Sequence, residues 1–294
     1  MDQTKFESDN TKNCLLESEV PPLCKTEPCW LGIDEAGRGP VLGPMVYGTS
    51  YSPISKKKEL EDLKFADSKT LTEEQRESIF EKLNEAKEII GWMVEILSPT
   101  YISNSMLRRS KYNLNALSHD CAIGLIQKVL DRGVNVAEIY VDTVGDPGKY
   151  QDKLSNLFPG IDITVAKKAD ADYQIVGAAS ICAKVARDKA VKNWTFIEDI
   201  QYDGNYGSGY PSDPNTKRFM AESLDKVFGF PQFVRFSWST ADKIVQKDGV
   251  KFIWEDDEEE DKNTQSLINF MGKKDGTSRH RFFKDTCLNY VEHL

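Results

Sequence analysis

No stretch of this chain approaches the ~18 consecutive apolar residues that a membrane span requires, and hydrophobic residues make up only 39% of its 294 positions. It reads as a water-soluble globular protein, long enough for one large or two small domains with a sizeable core. The six cysteines (Cys14, Cys24, Cys29, Cys121, Cys182, Cys287) form no CxxC pair and have no histidine pattern beside them. That sets aside zinc and a disulfide framework and leaves free thiols in a reducing cytosol or nucleus. The first ten residues, MDQTKFESDN, are polar and acidic, unlike a signal peptide or a mitochondrial presequence. A dinucleotide-binding loop is missing too. Gly37, Gly39 and Gly43 are spaced GxGxxxG, and Pro40 blocks a helix interior, whereas that loop requires GxGxxG opening a helix. No internal repeat stands out.

Net positive charge is also lacking. The chain carries −9, which at first argues against a nucleic-acid partner. The excess is uneven. Residues 1–29 hold 3 basic and 6 acidic side chains, and residues 241–294 hold 9 and 12, so the middle is nearly balanced. Local basic clusters, rather than the global charge, would have to hold a polyanion.

What is present is concentrated in residues 30–44, WLGIDEAGRGPVLGP. The apolar run Leu31 to Ile33 reads as a buried strand, and the adjacent Asp34 and Glu35 leave it on opposite faces. Two acids at the end of a hydrophobic strand are costly unless a cation sits between them. A divalent metal meets that need; an acidic hairpin turn is the plainer alternative. Gly37 and Gly39 suit a backbone that must approach a ligand closely, and Arg38 supplies charge for an anion.

Residues 1–29 read as a loosely ordered polar arm. A second apolar stretch follows the hairpin from Val41 to Tyr47, and Thr72 with Gln75 forms a capping box for a helix with Ile79, Phe80, Leu83 and Ala86 on one face. Ile90 to Ile96 then gives the third strand of a meander. Leu117, Cys121, Leu125 and Val129 mark an amphipathic helix over 115–131, with His119 off its apolar face, in a solvated or structural role. Residues 138–142 and 161–166 read as strands joined through a short helix, hence parallel through a right-handed crossover. A long helix is expected over 172–194, its small-residue face lying close to the sheet and Lys184 pairing with Asp188. A Gly/Pro/Ser loop covers 202–214, a helix 216–228, and an aromatic-rich stretch 230–238 packs back on the core. Seven acids at 255–261 read as a disordered spacer.

Asp34, Glu35, Asp142 and Asp170 each fall at a strand end or at the helix start just after one. Carboxyl ends of strands converge in open α/β sheets, and four carboxylates gathered there would suit Mg²⁺ or Mn²⁺. The DEAGRGP stretch, with ADSKTL, the SxSMLxRxKYNLN run over 103–115, YVDTVG, KKADADY, AASICAKVARD and YGSGYP, closely resembles the type 2 ribonuclease H family, and within it the eukaryotic catalytic (A) subunits. The resemblance covers about residues 28–240, with weaker similarity into the tail.

That resemblance implies an α/β fold, the ribonuclease H-like mixed β-sheet flanked by helices, with a C-terminal helical or extended region and tail. The division implied is a polar arm (1–29), a catalytic domain (30–240) and a C-terminal extension (241–294). It implies Asp34, Glu35, Asp142 and Asp170 as ligands of two divalent ions, Mg²⁺ or Mn²⁺. Gly37, Arg38 and Gly39 would contact the 2′-hydroxyl and neighbouring phosphate, and Tyr210 would pack on the adjoining sugar. Lys69, Asn113 and Lys168 are candidates for backbone contacts, with Lys167 an alternative to Lys168. The activity implied is hydrolysis of the RNA strand of RNA–DNA hybrids and incision 5′ to a single ribonucleotide in duplex DNA, in RNA primer removal and ribonucleotide excision. Accessory B and C subunits and a nuclear location are implied as well. The tail, with Arg279, Arg281, Phe282, Phe283 and Leu288, reads as a docking segment, and Leu267, Phe270 and Met271 faintly resemble a sliding-clamp box with Gln265 one residue out of register. The alternatives are another two-metal nuclease of the superfamily and a non-catalytic nucleic-acid-binding subunit.

Overall fold

The computed structural model describes residues 1–251 except 63, 64, 66–70, 111, 144, 199, 201 and 203. Lys69, the acidic run, the clamp-box candidate and the docking tail lie outside the described residues. The chain opens with α1 (Thr4–Ser8), β1 (Cys14–Glu17) and α2 (Leu23–Thr26), then the hairpin of β2 (Cys29–Ala36) and β3 (Met45–Pro53). There follow α3 (Lys57–Asp62), α4 (Glu73–Glu85), β4 (Gly91–Leu97), α5 (Pro99–Met106), α6 (Leu114–Asp131), β5 (Val136–Asp142), α7 (Pro147–Leu157) and β6 (Asp162–Ala166). The described part ends with α8 (Ala169–Asp172), α9 (Gln174–Lys192), α10 (Pro214–Glu222) and α11 (Ser239–Asp248).

The six strands form one mixed sheet in the order β1-β4-β3-β2-β5-β6. The meander β2–β3–β4 is antiparallel, and β5 and β6 extend it in parallel beyond β2. Side chains of β2 alternate between two cores. Trp30 and Ala36 face the layer of α4 and α9, whereas Leu31 and Ile33 face the layer of α6 and α7. α9 lies directly on β2 and β3 because glycines meet it. A Cβ at Gly32 would stand 2.4 Å from the Ile175 carbonyl oxygen, and one at Gly48 2.4 Å from that of Ala179. Separations that short do not occur between non-bonded atoms, so both positions exclude any side chain.

Several expectations need correcting. Residues 1–29 are folded rather than loosely ordered: β1 pairs antiparallel with β4, Phe6 is buried against Trp194, and Gln3 Nε2 donates to the Ala186 carbonyl at 2.8 Å. The long helix forms close to the bounds read, as α9, and the extended backbone of Tyr173 separates it from the short α8 before it. The 216–228 helix is shorter: Asp213 caps Asn215 and Thr216, and the last turn ends at Ser223. The Thr72–Gln75 capping box forms as read.

Candidate active site

Asp34 and Glu35 occupy the end of β2, next to β5, which ends at Asp142. Alternation sends Asp34 toward α9 and Glu35 toward α6. Asp34, Glu35 and Asp142 line one cavity of about 510 Å³ with Thr143, Lys167, Lys168 and Lys184. Glu35 and Asp142 also line a second cavity, of about 230 Å³, with Arg38, Asn115, Ser118, His119, Lys149 and Tyr150. Asp170 is buried at 3% exposure in α8. It does not line the first cavity, but the amide of the preceding Ala169 donates to Asp142 Oδ1 at 3.1 Å. Asp170 thus stands one residue from an amide held by the Asp142 carboxylate.

Asp34 is 4% exposed. Burial first, then the neighbouring Glu35 and Asp142 charges, push its carboxyl well above the usual range, while the Ser180 hydroxyl and the Lys184 ammonium pull the other way. Charge of this sign in a desolvated pocket calls for a cation. The donors are carboxylate oxygens, the set a hard divalent ion takes, so the residues fit such an ion chemically. Among the described residues no three His, Cys, Asp or Glu side chains converge into a closed ligand cage as they stand.

The glycine loop follows at once. Gly37 has φ +77°, a left-handed backbone, and a Cβ there would lie 2.1 Å from Arg187 Nε and 2.8 Å from the Pro44 carbonyl oxygen. A Cβ at Gly39 would lie 2.9 Å from Tyr210 Cε1, so Gly39 and Tyr210 are brought together. Tyr210 is 49% exposed, and the cap of α10 falls to Asp213 rather than to the tyrosine. Both residues line a broad cleft of about 1210 Å³ with Glu35, Arg38, Arg76, Lys184, Arg187 and Trp238.

Arg38 turns toward the start of α6, where its guanidinium donates to Ser118 Oγ and Asn115 Oδ1. Asn113 Oδ1 accepts from the Ala116 amide at 3.0 Å as the cap of that helix. Lys168 has φ +61° at the entry to α8, and both Lys167 and Lys168 reach the carboxylate cavity. His119 stacks on Tyr150 with ring centroids 3.8 Å apart, and burial, with Lys153 and Arg38 nearby, lowers its pKa.

Sequence reasoning missed three cationic residues here. Lys184 does not pair with Asp188 as expected. Its Nζ donates to Ser180 Oγ at 2.8 Å, and Asp188 accepts from Arg76 Nε at 3.0 Å and Nη2 at 2.6 Å. Arg187 lies beneath Gly37 with its Nε buried and without a partner among the described residues. Arg235, fully buried, donates to the carbonyls of Gly43 (2.8 Å), Arg38 (3.2 Å) and Gly37 (2.6 Å). Trp238 Nε1 donates to that of Gly39 at 3.1 Å. The C-terminal segment therefore holds the glycine loop by its carbonyls, a long-range contact with no local sequence signal beyond the aromatic run.

Residues 31–241 match the family model described as ribonuclease HII. The chain belongs to the ribonuclease HII family. It is 55% identical to the A subunit of ribonuclease H2 from Homo sapiens over 300 residues, covering all of both chains, and 55% identical to its Bos taurus counterpart over 293 residues, covering 98% of each. Among solved structures, the ribonuclease H2 from Pyrococcus horikoshii matches with a TM-score of 0.60 at 34% identity, over 74% of this chain and 98% of that one. Ribonuclease HII of Archaeoglobus fulgidus, solved in complex with PCNA, matches with a TM-score of 0.61 at 30% identity, over 74% and 97%. The fold is thus the ribonuclease H-like α/β fold, and the activity is that of a type 2 ribonuclease H, an endoribonuclease.

Proposed function

We propose that this chain hydrolyses the RNA strand of RNA–DNA hybrids and incises duplex DNA 5′ to a single embedded ribonucleotide, leaving 5′-phosphate and 3′-hydroxyl ends. The observation that carries this reading is the contact of Tyr210 with Gly39 in a cleft that also contains Glu35. A 2′-hydroxyl is the sugar group that distinguishes RNA from DNA. The glycine loop would allow close backbone approach to it, and the half-exposed ring of Tyr210 beside Gly39 would pack on the adjoining sugar.

Asp34, Glu35, Asp142 and Asp170 would hold two divalent ions, Mg²⁺ or Mn²⁺. The chemistry supplied by a bound pair of such ions is activation of a water for in-line attack and stabilisation of the leaving 3′-oxygen. The chain's own residues do the rest. Ser180 and the amide of Glu35, which donates to Asp34 Oδ1 at 2.7 Å, fix the Asp34 carboxylate. Arg235 and Trp238 set the height of the glycine loop. Arg38, Lys168 and, outside the described residues, Lys69 are candidates to meet phosphates.

Accessory B and C subunits are inferred from the relatives, which are A subunits of ribonuclease H2. Contact with a sliding clamp is inferred from the archaeal relative solved with PCNA. A nuclear location follows from the substrate, DNA carrying ribonucleotides. The deciding assay uses duplex DNA with one ribonucleotide, with and without Mg²⁺. Metal-dependent cutting at that position alone is expected. Equal cutting of all-DNA duplex would indicate another two-metal nuclease, and binding without cleavage a silent subunit.

A further inference from the structure

We infer that Lys184 is a further catalytic residue, a single ammonium shared between the carboxylate cluster and a phosphate oxygen of the bound nucleic acid. Lys184 lines both the cavity of Asp34, Glu35 and Asp142 and the broad cleft that runs past the glycine loop to Tyr210. Glu35 is the other residue common to these two spaces, so Lys184 is the cation at the boundary between them. Its Nζ donates to Ser180 Oγ at 2.8 Å, and both the Ser180 hydroxyl and the Lys184 charge favour the ionised form of Asp34. The charge thus acts on Asp34, the most deeply buried of the three acids that line that cavity. The usual helical partner four residues on, Asp188, is taken by two hydrogen bonds from Arg76. α9 cannot slide to relieve the arrangement, because Gly32 and Gly48 already bring its backbone onto the sheet.

Two consequences of opposite sign follow. Toward a divalent ion at the carboxylates, Lys184 is a competitor: two cations share one set of acids, and each lowers the other's affinity. Toward the phosphate it is a partner, because carboxylates neutralised by metal let its charge act on the oxygens where negative charge develops. A residue that merely supports the fold would weaken both properties together when removed.

The inference rests on the proposed metal reading, and the experiment separates the two. Lys184→Met and Lys184→Arg are made in the full chain, and the melting temperature is followed during Mn²⁺ titration without nucleic acid. Cleavage of duplex DNA with one ribonucleotide is then measured at saturating Mg²⁺. For Lys184→Met the expected half-saturating Mn²⁺ falls ~10-fold, while turnover falls ~100-fold. Lys184→Arg keeps the charge, so its Mn²⁺ midpoint stays close to wild type and part of the turnover is retained. Unchanged or weaker Mn²⁺ binding in Lys184→Met, or full turnover at saturating Mg²⁺, overturns the assignment. If wild type itself shows no Mn²⁺-dependent shift, the metal reading fails and takes this inference with it. If wild type responds and Lys184→Met responds identically, only the role of Lys184 fails.

Discussion

Gly37→Ala tests the packing under the glycine loop. The φ of +77° costs an L-residue about 1–2 kcal/mol. The new methyl would also stand 2.1 Å from Arg187 Nε, 2.4 Å from its Cδ and 2.8 Å from the Pro44 carbonyl oxygen. The two arginine atoms lie near the middle of a largely enclosed side chain and the third is backbone, so the neighbours yield only by moving the loop or α9. Overpacking of this kind costs ~1–3 kcal/mol, for a total of roughly 2–5 kcal/mol. In a chain of this size, where 1 kcal/mol is worth about 2 °C, that lowers the melting temperature by roughly 3–10 °C. Differential scanning calorimetry on Gly37→Ala, Arg187→Ala and the double variant separates strain from collision. Removing Arg187 removes the collision, so the double variant should be less destabilised than the sum of the singles by about 1–2 kcal/mol. Additive effects would refute the placement of Arg187 against Gly37. A Gly37→Ala protein that melts within about 1 °C of wild type would refute the strain as well.

Asp34→Asn should abolish cleavage while leaving the fold and hybrid binding intact, and Asp170→Asn should be milder; a tenth of wild-type turnover in Asp34→Asn would remove Asp34 from the metal site. The same variant has a pH signature. A buried carboxyl whose folded pKa is raised stabilises the fold relatively less as pH rises from the unfolded value through the folded one. In chelator the melting temperature of Asp34→Asn should therefore gain on wild type from acid to neutral pH, and a constant difference would count against the uncompensated charge. Tyr210→Ala should depress cutting at a lone ribonucleotide far more than cutting of a continuous hybrid, with Tyr210→Phe between; equal losses on both substrates would confine the tyrosine to a scaffold role. Arg235→Met leaves the carbonyls of Gly37, Arg38 and Gly43 without their donor, at a cost of about 3 kcal/mol or more; urea unfolding with less than ~1 kcal/mol lost would contradict that role.

The site's acidic half was legible because it is written in short contiguous signals. An apolar run ending in Asp34-Glu35, another ending in Asp142 and a third leading to Asp170 each announce a strand end, and parallel pairing of β2, β5 and β6 brings those ends to one edge. The basic half was not. Asp188 stands at the helical spacing from Lys184, yet Arg76 from α4 claims it, because a two-point guanidinium contact between helices outcompetes a flexible pair along one. Arg235 is nearly two hundred residues from the carbonyls it holds, and neither periodicity nor spacing reports such a contact. The N-terminal segment was misjudged for a related reason: four residues of β1 and one buried phenylalanine give too little pattern to register until β4 and Trp194 are present to receive them.

The position of β1 has a further consequence. It covers the outer edge of β4 with only the register Cys14–Ile96 to Glu17–Met93, and among the described residues no further strand lies beyond it. An uncovered strand edge is a row of unpaired amides and carbonyls that recruits other chains. A chain shortened to begin at Trp30 would keep the whole carboxylate cluster yet expose the Val94 and Ile96 strand to its neighbours. Its failure would come as concentration-dependent aggregation in the test tube, before any change in chemistry could be measured.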